Sequence, residues 1–459
     1  MRGGTQPTVC LCMIVRDEAE LLPRCLQSVQ GVVDDIVVVD TGSSDNTARI
    51  ALGFGARLFH HPWQDSFSEA RNWALRQVTS DWVLVLDADE ELEREDAGLL
   101  RRVIQGKEHH AVFTSVLNYT PYGRTQLYSP RLFRHGTAHY EGIVHNQLVH
   151  KGQSIVSSIR IYHCGYALSP EKMNAKYERT TRLLRLQLQQ NPQDLFAWYN
   201  LVHMYRNRRQ FELAARTGHE VLEDLCFGGK ETLFVMLCYD VACSYVEIGD
   251  LSKAESFCRR ALKVNPEFID ALFVLGVVRM KMRQWEKAAR AFGSFIEVRA
   301  RVLASPVLHR FCLGTIDYEF LAYAFLGECV LHLGAGEQAR DYFRQAMALF
   351  RAWERGWPAA IPPHPDILMQ MGNIAVRLGR IEEATELFEK CLGQGMKTAQ
   401  LLNNLAGCYA KLGKVEEAVT AYRDALRLNP HYEEARRNVQ VLLKACAKRA
   451  QAVDMPVEA

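Results

Sequence analysis

No apolar run in the 459-residue chain approaches the ~20 residues that a membrane-spanning helix requires. An integral membrane segment is therefore not expected. Residues Met1 to Pro7 lack the apolar stretch of a signal peptide. The 13 cysteines are odd in number, and none forms a Cys-x-x-Cys pair; Cys10 and Cys12 lie only two apart. Neither a secreted disulfide framework nor a cysteine zinc site is expected, and reduced thiols point to the cytoplasm. A large net charge is also missing, with 55 Lys+Arg against 53 Asp+Glu. That balance excludes general nucleic-acid binding and a polybasic membrane anchor as expectations. Hydrophobic residues make up 48% and charged residues 24%, the composition of a folded, multi-domain chain.

Two regions with different periods are present. Up to about Gly165, short apolar runs at Val9–Val15, 36–39 and 82–86 are each followed by polar or acidic residues. They read as buried parallel strands. Helix-sized segments lie between them at 21–29, 46–52 and 68–78, the second preceded by the helix-starting pair Ser44–Asp45. This alternation predicts an α/β sheet that gathers ligands at the carboxyl ends of its strands. From Ala111 to Tyr162 the pattern turns β-rich, with a turn signal at Pro121–Tyr122–Gly123.

From about Leu195 a period of 34 residues sets in. Leu402, Leu405, Tyr409, Gly413, Ala418, Tyr422 and Ala425 match Leu368, Met371, Ala375, Gly379, Ala384, Phe388 and Cys391, 34 positions earlier. Six units start near 195, 235, 269, 320, 365 and 399, with an insertion holding Trp357 and Pro358–Pro365 before the fifth. This resembles tetratricopeptide repeats, helix–turn–helix units with small residues where the helices cross. Their aromatic and cysteine side chains are expected to be packing, and the stack to form a groove for a peptide or protein partner. The expected organisation is a catalytic domain over 1–168, a connecting helical segment over 169–194, the solenoid over 195–445 and a tail over 446–459.

The sharpest chemical signal is Asp87–Ala88–Asp89–Glu90, two carboxylates flanking one residue directly after a strand. Such a pair suits a hard cation, Mg²⁺ or Mn²⁺, which keeps waters and binds substrate phosphates. The acidic run Glu90, Glu91, Glu93, Glu95 and Asp96 also fits an ordinary solvated face. Two more strands deliver carboxylates to the same edge, Asp17–Glu18 after the first and Asp40 after the second. Like charges gathered in this way need a cation or a hydrogen-bonding ligand. Arg71 and Asn72, in the segment Ser66–Asn72 that opens a helix, could pair with a phosphate and donate hydrogen bonds.

Taken in order, Cys12–Glu18, Val39–Thr47, Phe67–Asn72 and Asp87–Glu90 resemble the successive motifs of family 2 glycosyltransferases. With the repeats, the whole chain resembles bacterial family 2 enzymes fused to tetratricopeptide repeats, a group that includes enzymes glycosylating bacteriocin-precursor peptides. The resemblance implies a Rossmann-like α/β GT-A fold followed by an all-α solenoid, and a metal-dependent, inverting transfer from a nucleotide-sugar donor, UDP-hexose or UDP-N-acetylhexosamine foremost. It implies that Asp40 hydrogen-bonds the nucleobase and that Val15, Asp17 and Glu18 line the base pocket. Asp87 and Asp89 would bracket the metal and diphosphate, with Asp89 as a metal ligand, His163 as a further metal ligand or a donor to the diphosphate, and Arg131 holding the diphosphate or shaping the acceptor site.

An inverting transfer needs a base on the acceptor side. Relatives usually carry His-Glu where this chain has His145–Asn146, and an Asn cannot serve as a base. Glu141 and His145 are the candidates, and an acceptor thiol would need little help. The acceptor implied is a peptide or protein side chain. A cell-envelope glycan or lipid-linked sugar is the alternative acceptor, and an inactive interaction scaffold the alternative class. A homodimer is a further partnership the repeats would permit.

Overall fold

The computed structural model describes residues 6–120, 123–163, 170–303, 313–358 and 361–453. The Pro121–Tyr122 turn, Cys164–Ser169 and the last six residues lie outside them. The chain forms two compact units, one up to Asp317 and the other from Tyr318.

The first unit opens with β1 (Val9–Val15), α1 (Leu22–Val29), β2 (Asp35–Asp40), α2 (Thr47–Gly53), β3 (Arg57–His60), α3 (Phe67–Leu75), β4 (Trp82–Val85), β5 (Glu90–Leu92) and α4 (Ala97–Val103). Five strands belong to the β-rich stretch: β6 (His109–Thr120), β7 (Gly123–Arg134), β8 (Ala138–Glu141), β9 (Gln147–His150) and β10 (Gln153–His163). Eight strands make one mixed sheet in the order β3-β2-β1-β4-β7-β6-β10-β5. β3, β2, β1 and β4 run parallel; β7 and then β6 and β10 extend the sheet through antiparallel and parallel pairings. β8 and β9 form a separate hairpin.

β1, β2 and β4 are almost continuously apolar because both faces are covered. Leu11, Met13, Leu84 and Trp82 point into a core with Leu22 and Leu26 of α1. Cys10, Cys12, Val37, Val39, Val83 and Val85 point to the other face, against Ala74 and Leu75 of α3. The strand order reverses between β1 and β4, so a crevice opens at their carboxyl ends, where an open α/β sheet binds ligands. The residues that follow β1 and β4 are Arg16–Glu18 and Leu86–Asp89.

The long helix α5 (Pro170–Gln190) leads from the sheet to three helix pairs of the same unit. These are α6 (Leu195–Asn207) with α7 (Phe211–Asp224), α8 (Glu231–Glu247) with α9 (Leu251–Val264), and α10 (Ile269–Lys281) with α11 (Trp285–Leu303). The β6–β7 hairpin reaches the residues beyond α11. Arg124 donates to the Asp317 carboxylate from its backbone N–H at 2.8 Å and its guanidinium at 3.1 Å.

The second unit holds α12 (Glu319–His332) with α13 (Gly336–Arg355), α14 (Pro365–Arg377) with α15 (Ile381–Gly393), α16 (Ala399–Lys411) with α17 (Val415–Leu428), and a closing α18 (Glu433–Val453). The 34-residue period thus corresponds to helix pairs. Small residues sit where aromatic rings press in: a Cβ added to Gly276, Gly327 or Gly372 would meet the ring of Phe292, Phe343 or Phe388 at 2.4–2.6 Å. The turn inside a pair needs one left-handed residue. Gly249, Gly334, Gly379 and Gly413 fill it at φ +76° to +88°, while Arg209 and Arg283 adopt it at a steric cost in the first and third pairs.

Candidate active site

A cavity of about 890 Å³ opens at the carboxyl ends of β1 and β4. Val15, Arg16, Glu18 and Thr41 line one side, Arg71, Asp87, Asp89, Arg131 and His163 the floor, and His145 and Asn146 the facing loop. Within the same unit, Lys176, Arg179 and Thr180 of α5 and Phe196, Tyr199, Leu233 and Met236 of α6 and α8 complete the wall.

The acidic cluster carries its own counter-charges. Arg71, buried on α3, pairs with Asp87. Arg131 of β7 bonds Glu90 at 2.5 Å and lies 3.9 Å from Asp87. Glu90 is 1% exposed, and its second oxygen accepts the Asp87 N–H at 2.9 Å. Burial pushes the Asp87 carboxyl upward, but Arg71 and Arg131 outweigh it and hold it well below the usual carboxylate range. Glu90 is raised, because burial and the Asp87 charge exceed the help from Arg131. Read as the start of an acidic face, Glu90 is instead an internal brace. Arg71 and Arg131 line the cavity while each is paired with a carboxylate.

Asp89 faces His163, at the end of β10, with 3.2 Å between Oδ2 and Nε2. The Lys176 ammonium lies 3.7 Å from the same oxygen. Burial would raise Asp89, but the His163 hydrogen bond lowers it, and that bond raises His163 against its own burial. Among the described residues no cluster of three potential ligands is assembled. An oxygen and an imidazole nitrogen side by side in a cavity fit Mg²⁺ or Mn²⁺, which complete their shells with water and substrate phosphates.

Three residues expected at the donor are absent from the cavity wall. Asp40 is 3% exposed, and its Oδ1 accepts the N–H groups of Gly42 and Ser43 at 2.9 and 2.7 Å. Asp17 adopts φ +55° and accepts the Ser44 N–H at 2.7 Å and hydroxyl at 3.0 Å. Both carboxylates shape the loop after β2, because a short side chain beside free N–H groups is captured by them. Asn72 exchanges two 2.8 Å hydrogen bonds with the backbone of Tyr140, docking β8 on α3. Val15 and Glu18 do reach the cavity, and burial raises Glu18 to about 7, helped by the nearby Asp89 charge.

The two base candidates separate. Glu141 is exposed, lies outside the cavity wall and pairs with His139 at 2.9 Å. His145 faces the cavity with φ +48°. Enclosure by protein lowers its pKa, and His203 and Lys176 add to the effect. The ring is still wetted by the open cavity, which limits the shift. Its loop is clamped from both sides. Ser68 donates to the Gly142 carbonyl and Phe67 N–H to that of Ile143, while Gln187 of α5 accepts from Ile143 N–H at 2.8 Å. Asn146 lines the cavity, and its buried Nδ2 has no acceptor among the described residues.

Sequence reasoning missed Lys176, Arg179 and Thr180, which belong to no motif. The only signal was their i, i+3, i+4 spacing early in a helix that follows His163. Arg134, three residues beyond Arg131 on β7, lies elsewhere, over the Trp82 ring and against the carbonyls of His109 and Gly106.

Comparison with known proteins agrees with this architecture. The glycosyl transferase family 2 model matches residues 10–164, and tetratricopeptide models match 237–268, 270–298, 365–393 and 399–432. A TPR repeat-containing protein of Synechococcus elongatus is 36% identical over 292 residues, covering 60% of this chain and 70% of that one. The glycosyltransferase SunS of Bacillus subtilis is 29% identical over 211 residues, 43% of this chain and 50% of its own length. A solved tetratricopeptide repeat protein of Parabacteroides merdae superposes with a TM-score of 0.39 at 15% identity, covering 59% of this chain and 94% of that one. The chain belongs to the family 2 glycosyl transferases that carry C-terminal tetratricopeptide repeats.

Proposed function

We propose that this glycosyltransferase moves a sugar, with inversion, from a nucleoside diphosphate to a side chain of a peptide or protein. The observation that carries the reading is one cavity lined both by the Asp87–Asp89–His163 floor and by the first repeat helices. The acceptor is then bounded by α6 and α8 as well as by the sheet.

In this reading the nucleoside lies against Val15, Glu18 and Thr41, with Asp40 and Asp17 holding the loop that shapes this end. UDP is the first nucleotide to try. The diphosphate lies over Asp89 and His163, which would hold Mg²⁺ or Mn²⁺. When bound, that ion offsets the charge that builds on the departing diphosphate. Arg71 and Arg131 keep Asp87 and Glu90 in place beneath it. The acceptor atom attacks the anomeric carbon from the side opposite the diphosphate. His145 is the better candidate base, since it faces the cavity and its lowered pKa keeps it neutral and able to take the proton at neutral pH. Asn146 is placed to donate to a sugar or acceptor hydroxyl. We place the reaction in the cytoplasm; among the described residues no helix is long and apolar enough to cross a membrane.

The test uses the full chain with UDP-sugars, Mn²⁺ or Mg²⁺ and candidate acceptor peptides. Release or transfer of sugar that Asp89→Ala abolishes supports the donor site. Met236→Arg should block peptide transfer while leaving donor hydrolysis intact. If Met236→Arg transfers to peptide as well as the parent does, α8 does not bound the acceptor.

A further inference from the structure

Lys176 and Arg179 stand out once the charges around the cavity are paired. Arg71 is taken by Asp87 and Arg131 by Glu90. Arg16 leans toward Asp17, 4.0 Å away. The remaining cations on the wall are Lys176 and Arg179, three residues apart on one face of α5. Lys176 touches the cluster only at 3.7 Å, longer than a hydrogen bond. Arg179 stacks over the Phe67 ring with its charge 5.6 Å from the centroid, and has no carboxylate within 4 Å among the described residues. Enclosure lowers its pKa, only partly offset by Glu18. Two cations on the cavity wall without tight partners, Lys176 beside Asp89 and Arg179 on the Glu18 side, leave their donor N–H groups for an anion.

We infer that α5 supplies the diphosphate-binding cations of the donor site, Lys176 and Arg179, in place of the sheet arginines. This rests on reading the cavity as a nucleotide-sugar site. As the acceptor atom bonds to the anomeric carbon and its proton passes to the base, the bond from that carbon to the phosphate oxygen breaks. The electron pair stays on the oxygen, and the new charge forms where an ammonium and a guanidinium can meet it. Both are positioned by a helix anchored on several sides. Gln187 holds the His145 loop, Arg182 grips Asp65 through two bonds of 2.7 and 3.0 Å, and Tyr177 donates to Gln210 at 2.8 Å ahead of α7. The helix that leads into the repeats thereby carries part of the donor site.

The experiment measures binding of UDP and of uridine to the full chain by calorimetry, with Mn²⁺ present. It compares the parent with Lys176→Met, Arg179→Met, the double variant and Lys176→Arg, circular dichroism confirming folding. Each Met variant should weaken UDP about 10- to 100-fold, the effect of losing a charge-assisted hydrogen bond, and leave uridine unchanged. Lys176→Arg should recover most of the loss. A folded double variant that binds UDP within threefold of the parent overturns the inference. Tighter Mn²⁺ binding with unchanged UDP affinity overturns it too, by assigning Lys176 to Asp89 alone. A parent that binds neither UDP nor other nucleoside diphosphates overturns the donor reading itself, a result distinct from the other two.

Discussion

Replacing Arg131 by Met should destabilise the transferase sheet even with no donor present. Arg131 bonds Glu90 at 2.5 Å, and the Glu90 side chain is 1% exposed. Met keeps much of the apolar stem and removes the charge. The Glu90 carboxylate would then retain only the Asp87 N–H, 2.9 Å away, with Asp87 itself close by. Removing one partner of a buried pair costs about 3–5 kcal/mol, because the other charge stays buried and uncompensated. Hydrogen exchange of the peptide 82–92 reads this directly, since β4 and β5 exchange only when the sheet opens. A loss of that size speeds exchange by roughly two to three and a half orders of magnitude. Adding Glu90→Gln should recover most of the loss, because an amide tolerates the site without a counter-charge. The reasoning fails if Arg131→Met exchanges at the parent rate and only weakens donor binding. It also fails if the double variant is no more stable than the single one.

Gly276→Ala should cost about 1–3 kcal/mol, since the new methyl would sit 2.6 Å from the buried Phe292 ring. Gly407→Ala, whose new methyl would meet only the Tyr422 hydroxyl, at 3.7 Å, should be neutral or slightly stabilising; urea unfolding that ranks the two the other way would refute the packing argument. The acid limb of transfer should lie below the ordinary imidazole value near 6.5, because the lowered pKa of His145 keeps it neutral further into acid. The same shift means that the unfolded chain takes up this proton first, so stability falls as pH drops from about 6.5 toward the folded pKa, and His145→Gln should flatten that fall. Identical pH–stability curves for parent and variant would count against it. Gln187→Leu should lower kcat with little change in the KM for donor, since it frees the Ile143 N–H and breaks the 2.7 Å bond to the Asp194 carboxylate that caps α6. A rise in donor KM with kcat unchanged would place its effect elsewhere.

Sequence reveals what is local and repetitive. Strands β1, β2 and β4 announce themselves as apolar runs because both their faces are buried. The repeats show through a 34-residue period because each helix pair solves the same packing problem, as the Gly–Phe contacts demonstrate. β3 and β5 were not visible: Arg57–His60 is a half-exposed edge, and Glu90–Leu92 is three residues inside an acidic run. The break between the compact units falls after the third repeat, where successive starts near 269 and 320 are the most widely spaced. Packing within the pairs does not mark it, because each pair packs by the same rule on either side.

The candidate site was legible as a set of residue types and not as a set of partnerships. Glu90 looks like a solvated acid beside Glu91 and Glu93, and its burial depends on an arginine 41 residues later on another strand. Asp40 and Asn72 look like ligand contacts, yet the nearest free N–H and C=O groups belong to the chain itself and capture them. Charge pairing also inverts the apparent division of labour. The motif-bearing sheet supplies carboxylates together with arginines that pair with them, Arg71 with Asp87 and Arg131 with Glu90. In the proposed donor site, a diphosphate would meet the charges that these pairs do not absorb. Those are Asp89 with His163 on the sheet and Lys176 with Arg179 on α5, two of them from a helix that carries no motif.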